Sequence, residues 1–312
     1  MSYCKGDVEM NKKYWSLKNF AIVAILILLI IPVSVPAQED DQEAKKVFNA
    51  ALEAQQRGDD STAITLYQEA ITANPNFTDA YINLGSIYFK KKDYGKAETN
   101  FKKATEVDPA NADAWANLGR VYYKQKEYDD AITCYNTVIS NDSEYFEIYK
   151  DIGLVKFVKK DWAALIESMT KFTQHFTDDY LPYYLMGKGY QKLKKFNDAI
   201  ANYKKSISLN PEYYNSHNSL GQVYQAQEKF DKAYQSFKKA GQLKPGKYLA
   251  FYNMAWSYQM MNTDAEGNIS NVDKVISHWN QFLKSAKNNP KAKRYIENVE
   301  STINDLKEYK EF

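Results

Sequence analysis

The chain has 312 residues, of which 44% are hydrophobic and 15% aromatic, with 41 basic and 39 acidic side chains. So even a charge balance leaves no electrostatic footprint for nucleic acid. The length alone would suggest about two globular domains.

The N-terminus carries its own signal. Lys12, Lys13 and Lys18 precede a continuous apolar run from Phe20 to Ile31, and PVSVPAQ follows. A basic region, a short apolar core and small residues before a cut describe a secretory signal peptide over residues 1–37, cleaved after Ala37 with Val35 three positions before the cut. The run is shorter than the roughly 20 apolar residues a transmembrane helix needs, and Pro32 and Pro36 interrupt it. The alternative is an uncleaved anchor through residues 20–35 that tethers the rest to a membrane. Met10 offers a second start, with MNKKYWSLKNF as a conventional leader. Removing residues 1–37 leaves a net charge near zero and Cys134 as the remaining thiol. A single thiol in an exported chain forms no internal disulfide, and a packed role is expected for it. There is no Cys beside the apolar run to suggest a bacterial lipoprotein anchor.

An acidic lead-in follows at residues 38–43, QEDDQE, in which Asp40 or Asp41 is expected to cap the first helix. Then a 34-residue period begins. Gly85, Gly119, Gly153, Gly187 and Gly221 recur at that spacing, as do Ala97, Ala131, Ala199 and Ala233 in part. Pro75, Pro109, Pro211 and Pro245 keep the same register. A fixed period of this length marks a stacked repeat array, in which each unit packs only on its neighbours. The units run 44–77, 78–111, 112–145, 146–179, 180–213 and 214–247.

Within each unit, positions 4, 7, 8 and 11 share one face of a first helix. They are Tyr81, Leu84, Gly85 and Tyr88 in the second unit, and Trp115, Leu118, Gly119 and Tyr122 in the third. The small residue at position 8 permits close approach of a second helix, and the large ones fill the space around it. That second helix carries small residues at 20 and 27 and an aromatic at 24, as in Ala97, Phe101 and Ala104. A polar turn such as Lys92-Asp93-Tyr94 joins the two helices, and Pro at 32 ends the second.

The pattern resembles the tetratricopeptide repeat (TPR) over about two-thirds of the chain. The resemblance implies an all-α, right-handed superhelical solenoid of helix-turn-helix repeats, with first helices lining a concave groove and second helices forming the back. Departures are local. The first unit has Ala51 and Ala54 for Gly and Tyr. The fourth has Lys156 at 11, Leu165 at 20 and Met169 at 24, and ends at Thr177 without Pro. An atypical seventh unit, 248–287, has an insertion, NTDAEGNISN, before a second helix near 272–285. Residues 288–312 read as a capping helix whose apolar stripe is Ala292, Tyr295, Ile296, Val299, Ile303 and Leu306.

Little in the chain suggests chemistry, and neither an enzyme, a metal nor a cofactor is expected. His175, His217 and His278 lie in different repeats without ligand spacing. His217 stands at a packing position usually aromatic. Asp264–Asp273 places its Gly wrongly for a calcium loop. Asn76, Asn141 and Asn268 begin glycosylation sequons, which matter only in a eukaryotic secretory pathway.

The groove is the candidate site. On the family pattern, positions 2, 5, 9, 12 and 13 of each first helix should line it. They include Phe89 from the second unit and Arg120, Tyr123 and Lys124 from the third. The fourth supplies Lys150, Leu154, Phe157 and Val158, the fifth Tyr184, Lys188 and Lys192, and the seventh Tyr252 and Trp256. Aromatics beside Lys and Arg suit a peptide with acidic and apolar side chains. The aromatics at 12 have a packing alternative against the next repeat, whereas Leu154 and Val158 have no packing duty in the pattern. A clamp for the C-terminus of a cytosolic chaperone is rejected, because Phe48, Leu52, Asp113 and Glu147 stand where it needs other residues.

These features lead to an exported, periplasmic or envelope-associated bacterial scaffold that binds a peptide or partner protein. Self-assembly into a homo-oligomer is one alternative, and an accessory subunit of an envelope enzyme or secretion system is another. A membrane is expected to be involved only through the N-terminal segment, if uncleaved.

Overall fold

The computed structural model describes residues 35–311, with side chains described for 41–310. Residues 1–34, which hold most of the expected signal peptide, lie outside the described residues. The chain divides into two compact units, 1–109 and 110–312. In the described residues there are fifteen α-helices and one 3-10 turn.

The first unit contains α1 (Val35–Gln56), α2 (Asp60–Ala73), α3 (Thr78–Lys90) and α4 (Tyr94–Val107). One expectation fails here. The helix already begins at Val35, so the acidic stretch 38–43 is helical and neither Asp40 nor Asp41 caps it. The Asp41 carboxylate instead accepts from Lys45 Nζ at 2.6 Å and from Asn74 Nδ2 at 3.0 Å, which ties α1 to the end of α2. Caps appear at the later helices, where Asp59 accepts from Thr62 N and Asp93 from Lys96 N. Small and large residues alternate in the core, with Ala51, Ala54, Ala63 and Ala70 around Tyr67, Leu84 and Ile87.

The second unit continues with α5 (Ala112–Gln125), α6 (Tyr128–Asn141), α7 (Ile148–Val158), α8 (Trp162–Thr173), α9 (Tyr180–Lys192), α10 (Phe196–Leu209), α11 (Tyr214–Ala226) and α12 (Phe230–Leu243). Consecutive helices pack as pairs, and the spacing of the pairs is the period read from the sequence. The small residue at position 8 is a geometric requirement. A Cβ on Gly119 would stand 2.4 Å from the Tyr135 ring, and one on Gly187 would stand 2.6 Å from the Tyr203 ring. In the fourth pair Met169 takes the place of the aromatic, wholly buried, with its methyl 2.4 Å from where a Gly153 Cβ would be. Methionine is flexible enough to fill such a gap, so the atypical unit keeps the contact with a different side chain.

The turns between paired helices repeat one backbone conformation. Gly58 is left-handed (φ 80°), and at the same register so are Lys92 (φ 62°), Lys126 (φ 70°), Lys160 (φ 59°), Lys194 (φ 58°) and Glu228 (φ 58°). The next amide in each turn donates back across the helix end: Glu127 N to Tyr122 O at 2.8 Å, Lys195 N to Tyr190 O at 2.9 Å. This arrangement satisfies the carbonyls that a helix terminus leaves open, and it requires the left-handed residue.

The seventh pair, α13 (Tyr248–Met261) and α14 (Val272–Ala286), is joined by the long loop. The loop is ordered by its own polar groups. Asp264 accepts from Asn268 N at 2.7 Å and Nδ2 at 2.9 Å, and Thr263 pairs with Ile269 in an antiparallel bridge. A 3-10 turn (Pro290–Ala292) leads into α15 (Lys293–Glu311). Ala292, Val299, Ile303 and Leu306 of the expected stripe bury against Val275, Trp279 and Phe282. Tyr295 remains 37% exposed. The C-terminal end of α15 returns to the loop, where Ile269 N donates to Tyr309 Oη at 3.2 Å and Lys310 pairs with Asp273 at 2.8 Å.

Two substitutions test this frame. Gly221→Ala places a Cβ 2.8 Å from the Phe237 ring and should cost about 1–3 kcal/mol by overpacking. Lys126→Gly removes the strain of a left-handed side chain and should gain about 0.5–1 kcal/mol. Denaturant midpoints at unchanged slope would show both.

Candidate partner-binding face

The expected site residues fall on the first helices of the pairs. Phe89 belongs to the first compact unit, and all the others belong to the second. The structure separates them into side chains already engaged inside the fold and side chains left open.

The aromatics at position 12 are engaged inside the fold, and they have a ring partner within their own pair. Each packs edge-to-face or tilted on the first residue of its own second helix, and Tyr123 and Phe157 also sit against core clusters that include residues of the next repeat. Ring centroids are 5.6 Å apart for Phe89 and Tyr94, 5.9 Å for Tyr123 and Tyr128, and 5.8 Å for Phe157 and Trp162. Such pairs contribute beyond their buried area.

Four other pairs hold Gln at position 12, and in the three whose position 24 is Tyr or Trp the contact is polar. Gln55 accepts from Tyr67 Oη at 2.6 Å, Gln191 from Tyr203 Oη at 2.7 Å, and Gln259 from Trp279 Nε1 at 2.8 Å. Tyr67, Tyr203 and Trp279 all occupy the interior position 24, so each Gln satisfies a buried polar tip. Burial raises the Tyr67 phenol to about 12 and pushes the Tyr203 phenol up as well. Sequence reasoning missed this pairing. Its signal was present as the recurrence of Gln at 12 with Tyr or Trp at 24.

The charged residues divide in the same way. Arg120 Nε meets Asp151 Oδ2 at 2.8 Å, and its Nη1 donates to Asn117 Oδ1 at 3.1 Å. Burial opposes the Arg120 charge, but the nearby Asp151 carboxylate outweighs it and raises the guanidinium pKa. Lys150 is ion-paired with Asp179 and lies 5.5 Å above the Phe172 ring. Lys124 extends into solvent with its ammonium 5.7 Å from the Tyr123 ring. Lys188 is partly buried, and its pKa is lowered by that burial and then by Lys192 nearby. Lys192 itself is exposed.

Leu154 has a packing duty after all, contrary to the expectation. It seats on the cluster of Leu165, Met169, Leu185 and Met186. Val158 is 40% exposed. Tyr184 stands edge-on to Tyr213 at 5.2 Å. In the seventh pair Tyr252 is covered by Trp279, Phe282 and Tyr295 at 5.3, 5.4 and 5.0 Å, and Trp256 packs on Phe230 at 5.4 Å. Tyr252, Arg294, Tyr295 and Asn298 line an open cleft of about 290 Å³.

The histidines stay apart. His175 stacks on Phe146 at 3.5 Å, His217 Nε2 lies 2.9 Å from Pro211 O, and His278 sits between Tyr234 and Tyr258. Among the described residues no group of three His, Cys, Asp or Glu side chains could hold a metal ion. No helix among them is long and apolar enough to cross a membrane.

Family models for the TPR repeat match residues 55–92, 85–126 and 187–228, and tetratricopeptide-repeat models match 112–145 and 214–247. The chain is a tetratricopeptide-repeat protein, with an all-α fold of stacked helix pairs. No curated protein matches the sequence. Among solved structures, the C-terminal part of a TPR repeat-containing protein from Cytophaga hutchinsonii is 19% identical and covers 81% of this chain and 97% of its own, with a TM-score of 0.63. The Pseudomonas aeruginosa protein pilF is also 19% identical and covers 70% of this chain and 96% of its own, at 0.56. YrrB, described as a TPR protein with an unusual peptide-binding site, is 19% identical at 0.54, covering 60% and 96%.

The Gln–Tyr pairing makes a direct test of the interior. Gln191→Ala should cost about 1 kcal/mol by removing the acceptor of a buried hydroxyl that keeps Ser219 as its other neighbour. Adding Tyr203→Phe should recover much of that loss. Urea denaturation of the single and double variants measures the coupling, and independent effects would refute it.

Proposed function

We propose that this chain is a non-catalytic scaffold that binds a peptide or partner protein on the first-helix face of residues 110–312. The observation that carries the reading is what remains on that face after internal pairing. Lys124 and Lys192 are exposed, Lys188 is partly open, and Val158 stands 40% exposed among lysines. Cations interleaved with apolar surface suit a peptide that presents acidic and apolar side chains. The peptide-binding site in the name given to YrrB supports a role of this kind for the fold.

We place the scaffold outside the cytoplasm, in a bacterial cell envelope, on the strength of the basic and apolar N-terminal sequence. A cut after Ala37 would remove the first three residues of α1, Val35–Ala37, and leave the rest of that helix. Protein recovered from the envelope fraction should then have the intact mass of a chain beginning at Gln38. A mass that retains residues 20–35 would favour the membrane-anchored alternative.

Site-specific photo-crosslinking tests the binding face. A benzoylphenylalanine at Lys124 or Lys192 should capture a partner from the envelope fraction. The same group at Glu167 or Lys204, on second helices, should not. Equal capture from both sets would sink the assignment of the face.

A further inference from the structure

Three consecutive slots in residues 110–312 can be compared directly, because the repeat places equivalent residues in them. Each slot joins position 9 of one first helix to position 6 of the next, beside the interior residue at position 24. In the first, Arg120 meets Asp151 at 2.8 Å, and both lie close enough to Tyr135 to act on its hydroxyl. In the second, Leu154 and Leu185 pack together around Met169. In the third, the residues are Lys188 and Ser219, and Ser219 lies beside the hydroxyls of Tyr203 and Tyr184. Tyr203 is the repeat equivalent of Tyr135, so Lys188 and Ser219 hold the register positions of Arg120 and Asp151, with the Ser219 side chain itself buried.

The first slot is closed by an ion pair and the second by apolar contact. The third holds a cation and a hydroxyl. Lys188 forms no ion pair among the described residues, and the charge that acts on it is another cation, Lys192. Its own helix α9 and the first helices that follow, α11 and α13, contain no Asp or Glu. Asn218, next to Ser219, buries its Oδ1 without a hydrogen-bond partner, which leaves Nδ2 as the open end of the amide. The slot therefore combines an unpaired cation, a neighbouring cation and an amide donor, a set that accepts an anion.

We propose that the slot formed by Lys188 and Ser219, flanked by Lys192 and Asn218, binds an aspartate or glutamate side chain of a partner peptide. The proposal rests on the first-helix face being the partner-binding face. A side-chain carboxylate is the occupant because the chain fills the equivalent slot with one of its own, Asp151. The partner completes from outside the pair that Arg120 and Asp151 complete from within.

Fluorescence anisotropy on the full chain, at about 150 mM salt so that distant charges are screened, tests this. The probe is a labelled hexaglutamate peptide blocked at both ends. It should bind, blocked hexaglutamine should not, and Lys188→Ala should weaken binding about tenfold or more. Lys204→Ala, an equal loss of charge on α10, should leave binding unchanged. Ser219→Asp should restore the internal pair, abolish binding and keep or raise thermal stability; if that variant fails to fold, Lys188→Ala decides. The proposal is overturned by equal losses from Lys188→Ala and Lys204→Ala, which would mean diffuse charge attraction. Hexaglutamine with a free C-terminal carboxylate binding as well as hexaglutamate would also overturn it. Failure of hexaglutamate to bind would remove the acidic slot, while crosslinking through Lys192 would still judge the wider face.

Discussion

Each helix pair depends on one contact, between the small residue at position 8 of the first helix and the large side chain at position 24 of the second. A Cβ at Gly119, Gly153, Gly187 or Gly221 would fall between 2.4 and 2.8 Å from the side chain opposite. The helices are therefore as close as backbone and ring permit. That closeness buries Tyr135, Met169, Tyr203 and Phe237 almost completely. Once the ring is inside, any polar atom it carries needs a partner, and position 12 supplies one where it holds Gln. The interior of one pair thus determines what its first helix shows to the neighbouring pair.

The same logic separates packing from recognition on the first-helix face. A repeat frame supplies identical slots, and the slots differ only in side chains. Where Arg120 meets Asp151 or Leu154 meets Leu185, the slot is spent on holding neighbouring pairs together. At the junction that holds Lys188 and Ser219, Tyr184 packs on Tyr213 and Tyr203 instead. Aromatic packing at that junction frees the cation from structural duty. Recognition in such a chain requires that a junction be stable without the residue that recognises.

The periodic part of the fold was legible in the sequence because glycine, alanine and proline act through sterics, and sterics are local and repeat. Even the substitution of Met169 for an aromatic left the fourth pair readable. What repeats without a fixed residue type was not legible. The left-handed turn position holds Gly58 once and then four lysines and a glutamate, so composition hid a conformation that the backbone keeps. The start of α1 was misread because acidic residues suit a helix terminus and a helix interior alike. On the candidate face, helical spacing placed the candidate residues on the first helices. It could not show that Lys150 is held by Asp179, 29 residues away, or that Leu154 is drawn into the core, because partners across a junction have no local spacing.

The unpaired state of Lys188 has a thermodynamic consequence that the paired state of Arg120 lacks. Burial lowers the Lys188 pKa, so the folded chain holds this charge at a disadvantage. A carboxylate that enters the slot opposes that disadvantage in the same way that Asp151 outweighs burial at Arg120. Ligand binding and protonation of Lys188 are then linked, and each favours the other. A lysine suits this role better than an arginine. Its flexible stem lets the ammonium reach solvent when the slot is empty, whereas a planar guanidinium fixed by Asn117 and Asp151 is already committed. On the proposed reading, the cation at position 9 separates the junction closed from within at Arg120 from the one kept for a partner at Lys188.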